Sequence, residues 1–128
     1  MTPELVLAHF VGDFLLQPKQ MALSKSKDSW MCALHCLIYT LSLIWIGGVD
    51  FGHPVLLASL FVPHFVIDRW SLAHMWMRLT RNRDLVWAYN HRESIAEFYD
   101  AHFAALVYVV IDQTLHFLCL FVAIRLLA

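Results

Sequence analysis

Apolar residues along this chain gather into four runs, parted by three polar connections. The first run, Pro3 to Leu16, is short and is interrupted by His9, Gly12 and Asp13. Thr2 can cap it and Pro3 suits a first turn, so it predicts a short helix held against the rest of the molecule. Gln17-Pro18-Lys19 ends it. A connection bearing Lys19, Lys25 and Lys27 follows, and Ser29 reads as the N-cap of a second helix from Trp30 to about Gly47. Aromatic residues near both ends of that run stand where membrane helices carry interfacial anchors. Gly47 to His53 predicts a tight loop without Lys or Arg. Pro54 opens a third helix that runs to about Trp76. Pro63 lies inside it, directly before His64. An interior proline frees a backbone carbonyl, so a bend is expected there. Residues 77–100 are polar, and the longest apolar run spans about 101–127.

These runs predict an all-α fold. It is a polytopic membrane helix bundle of about four helices, at 3–16, 30–47, 54–76 and 101–127, in one integral membrane domain over residues 1–128. A helix of about 20 residues crosses the hydrocarbon core of a bilayer. Composition agrees: 60% of the residues are hydrophobic, against about 45–50% in soluble domains. Lys and Arg concentrate in the first and third connections, which a four-helix path puts on one side. The positive-inside rule then predicts a multi-pass protein of the cell (inner) membrane with both termini outside the cytoplasm. Arg125 is an exception. Met1-Thr2-Pro3-Glu4 offers no positive n-region, so no signal peptide is read. The net charge of −1 gives no electrostatic case for nucleic acid, and the expected partner is the lipid bilayer. Cys32, Cys36 and Cys119 lie in apolar runs without a CxxC, which reads as packing rather than a disulfide framework. Cys32 shares a helix face with His35.

The connection 77–100 carries Arg78, Arg81, Arg83 and Arg92 beside Asp84, Glu93, Glu97 and Asp100, with Trp87, Tyr89, Phe98 and Tyr99 between them. It reads either as a cytoplasmic amphipathic segment at the interface or as a lid whose arginines receive an anionic substrate.

Seven histidines and aspartates, ionisable or metal-capable, stand out inside the apolar runs: His9, Asp13, His35, His64, Asp68, Asp112 and His116. Six of them form three pairs, His9/Asp13, His64/Asp68 and Asp112/His116, each with a spacing of four. That spacing puts both members on one helix face, a turn apart. An Asp near the centre of a membrane helix costs about 2.5–3.5 kcal/mol on the insertion scale, so something must offset it. Counted at about 1.5 Å per residue from the cytoplasmic end, the seven fall in one overlapping band of depth. Gln17 and Gln113 stand where they can add hydrogen bonds. His53, His74, His91 and His102 fall in connections or near helix ends and read as surface or interfacial.

The basic residue adjoining these carboxylates in sequence is Arg69, turned about 100° away from Asp68. Protons, protonated histidines or bound cations must then balance the charge. Four histidines with three carboxylates form a ligand set for Zn, Mn or Fe, and helix bundles build metal centres by projecting such ligands inward. All seven are therefore candidate ligands of a divalent metal, most simply Zn, with Asp13, Asp68 and Asp112 as candidate catalytic carboxylates. A proton relay and interhelical polar clamps are the other readings.

His9-Phe10-Val11-Gly12-Asp13-Phe14-Leu15-Leu16-Gln17 resembles the HxxGDFxxQ opening of a small bacterial and phage-associated membrane family, a domain of unknown function. His35, His64-Phe65-Val66-Ile67-Asp68 and Asp112-Gln113-Thr114-Leu115-His116 look like its later motifs. The resemblance covers nearly the whole chain and implies an integral membrane protein. The HxxxD element is also similar to one in membrane-bound metal-dependent hydrolases. The expected function is metal-dependent hydrolysis of an amphiphilic or lipid-linked substrate. Transport of a proton, metal ion or small solute, which at this size would need a homo-oligomer, and a non-enzymatic accessory role are the alternatives.

Overall fold

The computed structural model describes residues 1–81, 85–90 and 94–127. Among them all regular structure is helical: α1 (Pro3–Phe10), a π-helical turn (Val11–Leu15), α2 (Lys19–Ser24), α3 (Ser29–Trp45), α4 (Pro54–Arg69), α5 (Leu72–Arg81), α6 (Leu85–Asn90) and α7 (Ile95–Leu127). Three helices begin at side-chain caps, each satisfying backbone N–H groups that a first turn leaves free. Thr2 caps α1, and Asp28 accepts from Trp30 and Met31 at the start of α3. His53 Nδ1 accepts from Leu56 at the start of α4. The cap of α3 is thus Asp28, one residue before the expected Ser29.

α1 and the π-turn pack on α3, α3 on α4, and α4 on α7, while α5 and α6 lie against α7. The apolar core gathers Leu5 and Ala8 of α1, Tyr39 and Leu43 of α3, Leu56 and Leu60 of α4, and Leu120 and Ala123 of α7, together with Val49. Gly12 lets the π-turn reach α3, since a Cβ there would stand 3.0 Å from the Tyr39 Cα and 3.2 Å from the Ser42 Cβ.

Two expectations shift. The third helix does not run unbroken to Trp76. It ends at Arg69, and α5 continues after a 55° bend. The break falls at Ser71, which takes a left-handed φ of 47°, while the helix passes continuously through Pro63. The last helix starts earlier than expected, at Ile95. Residues Ala101–Leu127 form a helix long and apolar enough to cross a membrane. The bent pair α4–α5 would be a second if it is one span, and α3 is a shorter apolar helix of 17 residues. The lid reading rests partly on Arg83 and Arg92, which lie outside the described residues together with Asp84, His91 and Glu93.

Candidate metal centre

The bundle's polar side chains converge where the C-terminal end of α1 meets the start of α3, the end of α4 and the middle of α7. Each helix brings them on its buried stripe. In α4 that stripe is Leu56, Leu60, His64, Ile67 and Asp68, so the one-turn pair simply continues the core face. In α3 it runs Cys32, His35, Cys36, Tyr39. At the π-turn the Leu16 N–H donates to the Val11 carbonyl five residues back. Such a turn rotates the residues after it relative to an α-helix, and π-turns recur at functional sites. Asp13 lies within it, buried. His9, Asp13, His35, His64, Asp68 and His116 are each no more than 4% exposed.

Two groups of donor atoms are close enough to hold a metal ion: Asp13, His35, His64 and Asp68, and Asp13, Asp112 and His116. Six of the seven residues singled out from the sequence are in one group or the other, and Asp13 is in both. In the first group, His35 Nε2 lies 3.1 Å from Asp13 Oδ1, 3.1 Å from Asp68 Oδ2 and 3.1 Å from His64 Nε2. His64 Nε2 lies 3.2 Å from Asp68 Oδ2 and 3.8 Å from Asp13 Oδ1. Asp68 Oδ2 has close neighbours but no donor aligned with it for a hydrogen bond.

His9 stands outside both groups. Its Nδ1 is 3.0 Å from the Tyr39 hydroxyl and its Nε2 is 2.7 Å from Gln113 Oε1. The Gln113 amide nitrogen donates to Asp13 Oδ2 at 2.7 Å and to Asp112 Oδ2 at 3.3 Å. These contacts fix one direction of donation: Tyr39 O–H to His9 Nδ1, His9 Nε2–H to Gln113, and Gln113 N–H to Asp13. His9 thus orients the amide that holds a carboxylate of the donor group.

Gln17 plays the matching part on the other side. Its neighbours orient the amide so that its nitrogen donates to the Asp13 carbonyl at 3.0 Å and its oxygen accepts from Lys25 Nζ at 3.0 Å. That same oxygen is 3.3 Å from His35 Nδ1, which makes Nδ1 the proton-bearing nitrogen of His35 and turns the Nε2 lone pair toward the cluster. His116 is held likewise: Nδ1–H donates to the Asp112 carbonyl at 2.8 Å, and Nε2 is buried without a hydrogen-bond partner, 3.7 Å from Asp68 Oδ1. His64 Nδ1 is also buried without one. Tyr39 stacks on the His64 ring with centroids 3.8 Å apart.

The basic partner of the carboxylates is Lys25 rather than Arg69. Lys25 Nζ is 2.9 Å from Asp68 Oδ1 and 3.9 Å from Asp13 Oδ1. Burial weighs against its charge, but the Asp68 and Asp13 carboxylates outweigh that and hold its pKa above the ordinary lysine value. Arg69 turns outward to the Ser26 carbonyl and the Ser29 hydroxyl. Sequence reasoning missed Lys25 because it lies in a connection. The signal was Met21, four residues earlier and buried, which fixes the inward face of the one-turn-and-a-half helix α2. Tyr39 was missed as well, since a tyrosine on an apolar helix reads as packing. His53 serves as a helix cap, and His102 is exposed on α7.

An all-helical molecule with a buried cluster of histidines and carboxylates is the class that fold and site define. The chain belongs to the family described as "Protein of unknown function (DUF3307)", which matches residues 1–128. Comparisons with curated proteins and with solved structures give no match.

Proposed function

We propose that this protein is a membrane-embedded metalloprotein whose divalent ion, most simply Zn, is bound by Asp13, His35, His64 and Asp68. The observation that carries the reading is the set of five short edges, 3.1 to 3.8 Å, among one atom from each residue. A tetrahedral ion with bonds of about 2.0–2.2 Å spaces its ligand atoms about 3.3–3.6 Å apart. Charge supports the same count. Among the described residues, three ionised carboxylates against the ammonium of Lys25 leave two negative charges, which a single divalent ion cancels. The hydrogen bonds that orient His35 and Asp13 from behind are of the kind that metal ligands carry.

The helices turn large apolar side chains outward: Leu7, Phe10, Phe14, Leu15, Leu37, Leu41, Val62, Val66, Leu106, Val110, Leu118 and Val122 are all exposed. Apolar residues outside and ionisable ones inside is the pattern of a bundle in lipid. We read α3, the bent α4–α5 pair and α7 as a multi-pass arrangement in the cell membrane. We read the activity as hydrolysis of an amphiphilic or lipid-linked substrate. A divalent ion lowers the pKa of a water bound to it toward neutrality; with four protein donors in the resting shell, that water would enter as a fifth ligand during turnover. Asp112 is the carboxylate outside the four-donor group and the more open one, its side chain 14% exposed against 2% for Asp13 and Asp68, so it is the general base of choice.

Metal analysis of detergent-purified protein tests the binding claim. The parent protein should carry about one ion per chain, and His35→Ala and Asp68→Asn should each lose it. Metal-free parent protein that is indifferent to chelator would sink the reading. Turnover of ester, amide or phosphodiester substrates should need the metal and fall on Asp112→Asn. Fully loaded protein that is silent on all three would leave a structural metal and end the hydrolase part.

A further inference from the structure

Lys25 enters the cluster from the connection between α2 and α3, and its neighbours keep it there. Met21 buries one turn before it. On its other side Arg69 Nη1 donates to the Ser26 carbonyl at 2.7 Å, and Arg69 Nε donates to the Ser29 hydroxyl at 3.0 Å. The ammonium comes to rest 2.9 Å from Asp68 Oδ1, 3.9 Å from Asp13 Oδ1 and 3.0 Å from the Gln17 amide oxygen.

Asp68 therefore turns its two oxygens to different neighbours. Oδ2 faces His35 and His64, while Oδ1 takes the ammonium. With an ion in the four-donor group, Asp68 would bridge it to the ammonium, as a carboxylate bridges the two ions of a two-metal centre, which stand about 3.5–4 Å apart. The remaining donors for a second ion are also present. Asp13, Asp112 and His116 form the second donor group, and the partnerless His116 Nε2 faces the same Asp68 Oδ1 that Lys25 occupies.

We propose that the Lys25 ammonium occupies the place of a second metal ion, so that the centre is built from one exchangeable divalent ion and one fixed ammonium. The proposal rests on the metal reading above. A positive charge tethered beside Asp68 repels a second divalent ion from the Asp13, Asp112 and His116 donors. It also supplies, without a second metal, positive charge beside the reacting group.

The test counts metal. Parent protein, Lys25→Met and Lys25→Arg are each titrated with excess Zn2+ in detergent, freed of loose ions and assayed for bound Zn. The parent should hold about one equivalent even in excess, Lys25→Met should rise to about two, and Lys25→Arg should stay near one. A parent that takes two equivalents overturns the proposal, as does Lys25→Met remaining at one. If Lys25→Met does not fold, the parent titration decides alone: saturation at one supports the proposal and saturation at two overturns it. A parent with no bound Zn defeats the metal reading itself, a result distinct from either of these.

Discussion

Gln113 touches three polar residues of the cluster through one amide: it accepts from His9 and donates to Asp13 and Asp112. An amide carries an acceptor oxygen beside an NH2 with two N–H donors, which matches these three contacts; a carboxylate cannot donate, and a neutral histidine has a single N–H. Replacing Gln113 with Leu leaves His9 Nε2–H and Asp13 Oδ2 buried without partners. Such partners of a metal-binding group are worth about 10–100-fold in affinity. Gln113→Leu should therefore weaken Zn2+ binding by about that factor in a chelator competition, while the metal still binds at saturation. The one-turn pairs and the glutamines were legible because helix geometry alone puts residues four apart on one face. The division of labour was not. His9 and Asp13 share a face, yet one is held by tyrosine and glutamine and the other faces His35. Only the packing of α3 and α7 against α1 sets that difference. Lys25 was hard to read for a related reason: in so short a connection a lone apolar residue, Met21, marks the inward face, and one residue makes no period.

At the scale of elements, the positions of helix breaks matter more than their number. Proline gave a sound reason to expect a break at Pro63, yet α4 continues as helix through it. The helix breaks at Ser71 instead, shortly after its last site residue, Asp68. The π-turn was likewise invisible in the hydrophobic pattern, because one extra residue per turn changes no residue's polarity. Its glycine was more telling. Gly12→Ala would put a Cβ 3.0 Å from the α3 backbone, so the π-turn must retreat from α3 and take Asp13 with it. Overpacking of this kind costs about 1–3 kcal/mol. The variant should unfold at correspondingly lower denaturant in detergent and bind Zn2+ more weakly. Unchanged stability and unchanged binding would show that the close approach at Gly12 is not needed.

For the whole molecule, the arrangement is apolar outside and polar at one interior end. A cluster of six nearly inaccessible histidines and aspartates would burden a protein of 128 residues if nothing bound there. Among the described residues, Asp13 and Asp68 of that cluster and the neighbouring Asp112 would then have Lys25 as their basic partner against three negative charges. The proposed membrane setting predicts that the protein stays in the pellet after alkaline carbonate extraction and is released by detergent. Release by carbonate alone would count against it. Sequence periodicity carried the all-helical architecture and the inward polar faces, because both follow from local spacing. The proposed path through a membrane is less legible, as a broken helix and a short one each admit more than one route.

The central claim is that one metal ion sits among Asp13, His35, His64 and Asp68. X-ray absorption at the Zn edge reads that shell directly. The account predicts two imidazole nitrogens and two carboxylate oxygens at about 2.0–2.2 Å and no sulfur, although Cys32 and Cys36 are buried nearby on the His35 face. A sulfur scatterer at about 2.3 Å, or a shell without imidazole, would contradict it.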